Sequence, residues 1–239
     1  RLASWSPGPY FEVLPVSLAN NVEFLRHLPK LSAINGLAGY GRRHPPASKS
    51  PLVEIDHFGP NPGGLRMFAF VPDARARAPA LVVVLHGCGQ TAAGYDLGAG
   101  WSTLATRYGF ALLMPEQQAS NNANTCFNWF NPEDIARDSG EAGSIRQMIA
   151  RMAADHKIDP RRIYVTGLSA GGAMATVMLS AYPEVFAGGA IIAGLAYGSA
   201  STVPEAFDRM RGHGGPSKAE LQRLLRAASP HKGPWPRIS

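Results

Sequence analysis

The chain is 239 residues long, 45% hydrophobic and 17% charged, which excludes intrinsic disorder as its main state and allows a sizeable buried core. Its longest apolar runs, 80–85 and 190–193, have the length of core strands and fall far short of the roughly 20 residues that cross a bilayer, so no membrane span is expected. The formal net charge is +6, and residues 1–50 carry six basic residues against two glutamates; with no dense basic run and no nucleic-acid module, no nucleic acid is expected as a partner.

Residues 1–51 read as a basic leader or linker containing Pro and Gly, with Gly41-Arg42-Arg43-His44-Pro45-Pro46 near its end. A short helix fits 22–27. No signal-peptide pattern opens the chain, which begins without methionine and reads as processed or trimmed. The regular pattern starts at Val53, and residues 52–239 read as the folded domain. Strand-like 53–58 and 65–71, separated by the turn-rich 59–64, predict a hairpin. Residues 81–85 (Leu-Val-Val-Val-Leu) form a continuous apolar run, as in a parallel strand buried on both faces. Trp101, Leu104, Ala105 and Tyr108 fall at helical spacing, with Gly109 placed to end the helix. Residues 111–114 predict a second buried strand. Ile145, Met148, Ile149 and Met152 repeat the helical spacing before a third strand at 162–166. Residues 170–182 read as a helix ended by Pro183, and 188–193 as a fourth strand. Ser217 and Glu220 form a capping-box pair ahead of Leu221, Leu224 and Leu225, and another strand begins at Arg237. Strand–helix alternation of this kind predicts an α/β fold, a mostly parallel sheet with helices on both faces.

The strongest chemical signal is Gly167-Leu168-Ser169-Ala170-Gly171, a G-x-S-x-G pentapeptide between a strand and a helix. In that context it predicts a nucleophile elbow, a sharp turn that needs small residues two places either side of the serine. Gly167, Gly171 and Gly172 meet the need. The second signal is His86-Gly87-Cys88-Gly89-Gln90-Thr91, directly after the first buried strand. In a hydrolase with such a sheet, this loop and the residue after the nucleophile each supply one oxyanion N–H, here the backbone amides of Cys88 and Ala170. His86 invites a role as base, or with Cys88 as a cysteine–histidine pair; a histidine here more often braces the loop, and Ser169 has the better geometry. Cys126 lies in Asn124-Thr125-Cys126-Phe127-Asn128-Trp129-Phe130, after the second buried strand. Adjacent parallel strands would bring it beside Cys88, leaving either a disulfide or two buried thiols. Asp134, Asp138 and Glu141 read as loop and helix-start residues. No H-E-x-x-H and no paired cysteine ligands suggest a metal, and no P-loop or G-x-G-x-x-G follows a strand, so no metal and no nucleotide is expected.

Taken together, 86–91, Trp101-Ser102-Thr103-Leu104-Ala105, Cys126-Phe127-Asn128-Trp129-Phe130, 167–172 and Tyr182-Pro183 resemble the poly(3-hydroxybutyrate) depolymerase-type esterase family, from about Val53 to Ser239. The resemblance implies an α/β-hydrolase fold, an extracellular or periplasmic location, and cleavage of an ester polymer or a small ester such as a feruloyl or acetyl ester, without a cofactor. It implies Ser169 as nucleophile, the Cys88 and Ala170 amides as oxyanion hole, a Cys88–Cys126 disulfide, and Gln90 and Trp129 on the substrate cleft. In that family the triad Asp and His follow the segment matched here, so the domain is expected to be C-terminally incomplete, with its last strands missing. Asp208 with His213 or His231 would keep the Ser…Asp…His order inside the chain, but 207–215 read as a surface excursion. The expectation is a serine esterase working through an acyl-enzyme. The alternative is a non-catalytic, hydrolase-like polymer-binding module lacking triad Asp and His; a thioesterase or peptidase would keep Ser169 but prefer another acyl substrate.

Overall fold

A computed structural model describes residues 49–239. The leader expected up to residue 51, apart from its last three residues, and the short helix at 22–27 lie outside the described residues. The described part is built on one seven-stranded sheet in the order β1-β2-β4-β3-β5-β6-β7. The strands are β1 Val53–Glu54, β2 Arg66–Phe70, β3 Leu81–Leu85, β4 Ala111–Glu116, β5 Ile163–Leu168, β6 Gly188–Ile192 and β7 Arg237–Ile238. The β1–β2 and β2–β4 pairs are antiparallel, and all others are parallel. The predicted hairpin is present but its first strand is short. Val53 and Glu54 pair with Ala69 and Phe68, the Ile55 N–H adds one bond to the Met67 carbonyl, and the Asn61 side chain then closes the turn through both polar groups of Leu65.

The apolar runs of the sequence become the middle of this sheet, because residues there are buried on alternating faces. Val83, Leu85 and Leu113 face one side, packed against Ile145, Met148 and Met152 of α4 (Gly140–His156) and Met174 and Met178 of α5 (Ala170–Ala181). Val84, Leu112 and Met114 face the other, packed against Tyr95 of α1 (Ala92–Ala99) and Ala105 of α2 (Trp101–Tyr108). Helix α1 has no counterpart in the sequence reading. Gly94 and Gly98 weaken its propensity, but Thr91 caps it by accepting from the Gly94 N–H at 3.0 Å. The Glu116 carboxylate at the end of β4 accepts from the Ala92 N–H at 2.7 Å. A carboxylate at the positive helix end suits the helix dipole, and this contact holds α1 to the sheet.

Three further helices complete the described part: α3 (Pro132–Ile135), α6 (Val203–Met210) and α7 (Lys218–Ala227). Helix α6 is capped by Thr202 and α7 by Ser217, each accepting from the amide three residues on. No described helix is long and apolar enough to cross a membrane. For function the decisive feature is register. Leu81 pairs with both Ala111 and Ile163, and Leu85 pairs with Gly167. The C-terminal ends of β3, β4 and β5 therefore lie side by side, and the chain leaves β3 for β4 on one side while β5 flanks the other. Loops after such strands gather in the crevice that α/β sheets use for ligands.

Candidate active site

Ser169 sits between β5 and α5 with φ 55° and ψ −118°, a left-handed φ that costs a non-glycine residue roughly 1–3 kcal/mol and persists only when its surroundings impose it. Two glycines impose it. A Cβ at Gly167 would run into the backbone of Gly171, and one at Gly171 into the carbonyls of Leu85 and His86. The turn and the loop after β3 are thus in backbone contact, which glycine alone permits. The Ser169 N–H is held by the Ile192 carbonyl of β6 at 2.9 Å, so three neighbouring strands define the position of one side chain.

Ala170 is the first residue of α5, where a backbone N–H has no partner within the helix. The Cys88 N–H makes no hydrogen bond among the described residues. Cys88, Ser169 and Ala170 line one cavity of about 730 Å³. The loop carrying Cys88 is braced on every side. The Gly87 N–H donates to the Gln90 side-chain oxygen at 2.8 Å, the Gly89 N–H donates to the Asn124 carbonyl at 2.8 Å, and Cys88 is bridged to Cys126. The question left open by the residues alone, bridge or two thiols, is thereby answered. Gln90, expected on the cleft, bears instead on the loop, because its carboxamide oxygen is engaged by Gly87; it is not part of the cavity wall.

His86 is fully buried. Its Nδ1 lies 2.8 Å from the Gly87 carbonyl and its Nε2 accepts from the Gln117 N–H at 3.1 Å. A carbonyl on one side and an N–H on the other select the neutral tautomer protonated at Nδ1. Burial keeps its pKa below the usual histidine value. Both nitrogens are committed to the backbone, so His86 braces the loop and is in no position to take a proton from Ser169.

Trp129 lies on the cavity wall, edge-to-face with Phe130 at 5.5 Å. The sequence reading missed the opposite wall. Residues 203–210 form α6, and Val203, Ala206, Phe207 and Met210 line the cavity; their i, i+3, i+4, i+7 spacing was the available signal. Between the two apolar walls, Asn122, Asn124 and Thr125 add polar groups to the rim. Asp208 is exposed, and its carbonyl accepts from the His213 N–H. His231 hydrogen-bonds the Pro234 carbonyl and precedes β7, whose Arg237 pairs with Gly188 at the start of β6. That places His231 at the sheet end opposite Ser169. Among the described residues no histidine is hydrogen-bonded to Ser169, and no group of three His, Cys, Asp or Glu could hold a metal ion.

This sheet, with a strained serine at the C-terminal end of a central parallel strand, has the architecture of the α/β-hydrolases. An acetyl xylan esterase from Aspergillus awamori superposes with a TM-score of 0.71 at 25% identity, covering 78% of this chain and 70% of that one. Residues 67–230 match the family described as esterase PHB depolymerase, and the chain belongs to that family. Among curated relatives, poly(3-hydroxyalkanoate) depolymerase C of Paucimonas lemoignei is 49% identical over 189 residues, 79% of this chain and 45% of that protein. Feruloyl esterase B of Neurospora crassa is 37% identical over 158 residues, 64% of this chain and 53% of that protein. The chain thus spans about half the length of the curated relatives it matches.

Proposed function

We propose that the protein is a serine-dependent carboxylic ester hydrolase acting through an acyl-enzyme on a poly(3-hydroxybutyrate)-type polyester or a related feruloyl or acetyl ester. The observation that carries the reading is that three residues line one cavity, Ser169 in its strained turn, Cys88 and Ala170; the reading takes the backbone amides of the last two as the oxyanion donors. In the proposed reaction the Ser169 Oγ attacks the ester carbonyl carbon as a histidine base takes its proton. Developing charge on the carbonyl oxygen is met by the two N–H donors, each worth roughly 3 kcal/mol in comparable sites. The C–O bond to the alcohol breaks, the alcohol leaves with the proton, and water repeats the attack to free the acid and restore Ser169. The base is assigned to none of the described histidines. Trp129, Phe207 and Met210 would receive the acyl chain.

The relatives named depolymerase and feruloyl esterase support the substrate class, and the Cys88–Cys126 bridge supports an oxidising compartment, extracellular or periplasmic. The test is hydrolysis of a p-nitrophenyl butyrate, a feruloyl and an acetyl ester, and a polyhydroxybutyrate film, by the wild type and by Ser169→Ala. Turnover of at least one substrate, lost by roughly 10⁴-fold or more in the variant, is the expected result. Binding of the film with no turnover of any ester would replace the esterase reading by that of a polymer-binding module.

A further inference from the structure

Outside the cavity the most unusual side chain is Glu141, in the first turn of α4 and 1% exposed. Charged side chains are almost never buried to this degree without a set of partners, and Glu141 has three. Its Oε2 accepts from the Asn128 N–H at 2.9 Å, and its Oε1 accepts from the Asn128 side-chain amide at 2.8 Å and the Gln117 side-chain amide at 2.5 Å. Asp134 is the ionisable neighbour, and its Oδ1 accepts from the Glu141 N–H at 3.3 Å. None of these groups lies on the cavity wall.

Both residues that supply these three donors, Asn128 and Gln117, lead to it. Asn128 immediately precedes Trp129 on the wall. The Gln117 amide also donates to the Cys126 carbonyl at 3.2 Å, and Cys126 is bonded to Cys88. The Gln117 backbone N–H donates to His86, which in turn holds the Gly87 carbonyl. Two routes, one through the disulfide and one through His86, therefore run from one carboxyl to the two sides of Cys88. We propose that Glu141 is a positioning residue for catalysis: it fixes the Cys88 amide in the oxyanion site and Trp129 on the cavity wall, without touching substrate. The role rests on the esterase reading of the same site. Burial first, and then the Asp134 carboxylate, push the Glu141 pKa up to about 8 against the pull of its three donors; Glu141→Gln is neutral and of the same size, but keeps one acceptor oxygen and turns a donor NH2 toward a donor, the Asn128 N–H in the present geometry.

The test compares wild type, Glu141→Gln and Glu141→Ala in ester hydrolysis, and in hydrogen exchange read by mass spectrometry on peptides covering 86–90 and 124–130. A donor displaced from the oxyanion position costs kcat, up to about 10²–10³-fold for full loss. Expected is a kcat at least 10-fold lower in Glu141→Ala with KM within threefold, a smaller loss in Glu141→Gln, which retains one acceptor oxygen, and exchange at least 10-fold faster in the two loops of Glu141→Ala while β3 and β5 stay protected. An Ala variant whose strands stay protected but whose kcat is within twofold of wild type, or whose loss lies in KM alone, would overturn the assignment. If the alanine variant does not fold, a folded glutamine variant with kcat within twofold of wild type and unchanged exchange in both loops would overturn it as well. An inactive wild type would refute the esterase reading instead, and unchanged loop exchange in Glu141→Ala would still refute the positioning role independently.

Discussion

Ser169, the proposed nucleophile, carries part of the conformational cost of the fold. Its φ of 55° is natural for glycine and strained for serine. Ser169→Gly should therefore raise the melting temperature by a few degrees, the gain from relieved strain exceeding the entropy that glycine adds to the unfolded chain. Ser169→Ala, strained alike, should melt close to wild type; differential scanning calorimetry of both variants checks the pair. A second residue-scale expectation concerns Glu141. Its folded pKa of about 8 lies above its ordinary value of 4.5, so the folded state holds this proton more tightly than the unfolded state. The resulting stability is complete below about pH 4.5 and is lost as pH rises through about 8. The melting temperature of the wild type relative to Glu141→Gln should fall steadily across that window. A flat difference would show that Glu141 is ionised throughout. The sequence placed Glu141 at a helix start, which its backbone is; its partners come from residues 117 and 128, and no local pattern reports them.

At the scale of elements, what was legible depended on whether a pattern is local. β3 and the first four residues of β4 are readable because strand segments buried on both faces are apolar throughout. The serine turn is readable because its spacing is local and a Cβ at Gly167 would strike the backbone of Gly171 four residues on, whereas the collision that requires Gly171 is with the Leu85 and His86 carbonyls at and just after the end of β3. Helix α1 was invisible, because its two glycines and short apolar content are outweighed only by tertiary contacts, the Glu116 carboxylate among them. Helix α6 is the functional counterpart. Residues 207–210, the first four of the stretch read as a surface excursion, belong to this helix, whose apolar side lies on the cavity and leaves Phe207 and Met210 48% and 47% exposed. On the esterase reading proposed above, a helix side so placed would select the acyl chain rather than the reaction. Phe207→Ala should lower kcat/KM for feruloyl or butyrate esters by roughly 10-fold, the value of about 1–2 kcal/mol of lost apolar contact, and change acetate hydrolysis by less than threefold. Equal losses on all three esters would place Phe207 in the fold rather than in selection.

For the whole molecule, the Cys88–Cys126 bridge joins the loops after two adjacent strands across 38 residues of sequence. Cross-linking a loop of that length restricts the unfolded chain by about 4 kcal/mol on the entropic argument. Cys88→Ala/Cys126→Ala should accordingly unfold at lower denaturant concentration, with a stability loss of roughly 2–4 kcal/mol from chemical denaturation curves. The same bridge pins a proposed oxyanion donor, so activity should fall in the variant even where the fold persists. The parallel register that brings the ends of β3, β4 and β5 together, the glycine contacts at Ser169 and the Glu141 network all converge on the arrangement proposed here: Ser169 as nucleophile beside the Cys88 and Ala170 amides at a mostly apolar cavity.

The most direct test of that arrangement is covalent. The wild-type protein and Ser169→Ala would be treated with a fluorophosphonate ester and examined by intact mass and peptide mapping. A single adduct on Ser169, absent from the variant and formed in parallel with loss of ester hydrolysis, is the result predicted. A folded wild type that remains unmodified at Ser169, or that loses activity through an adduct elsewhere, would contradict the assignment of the nucleophile.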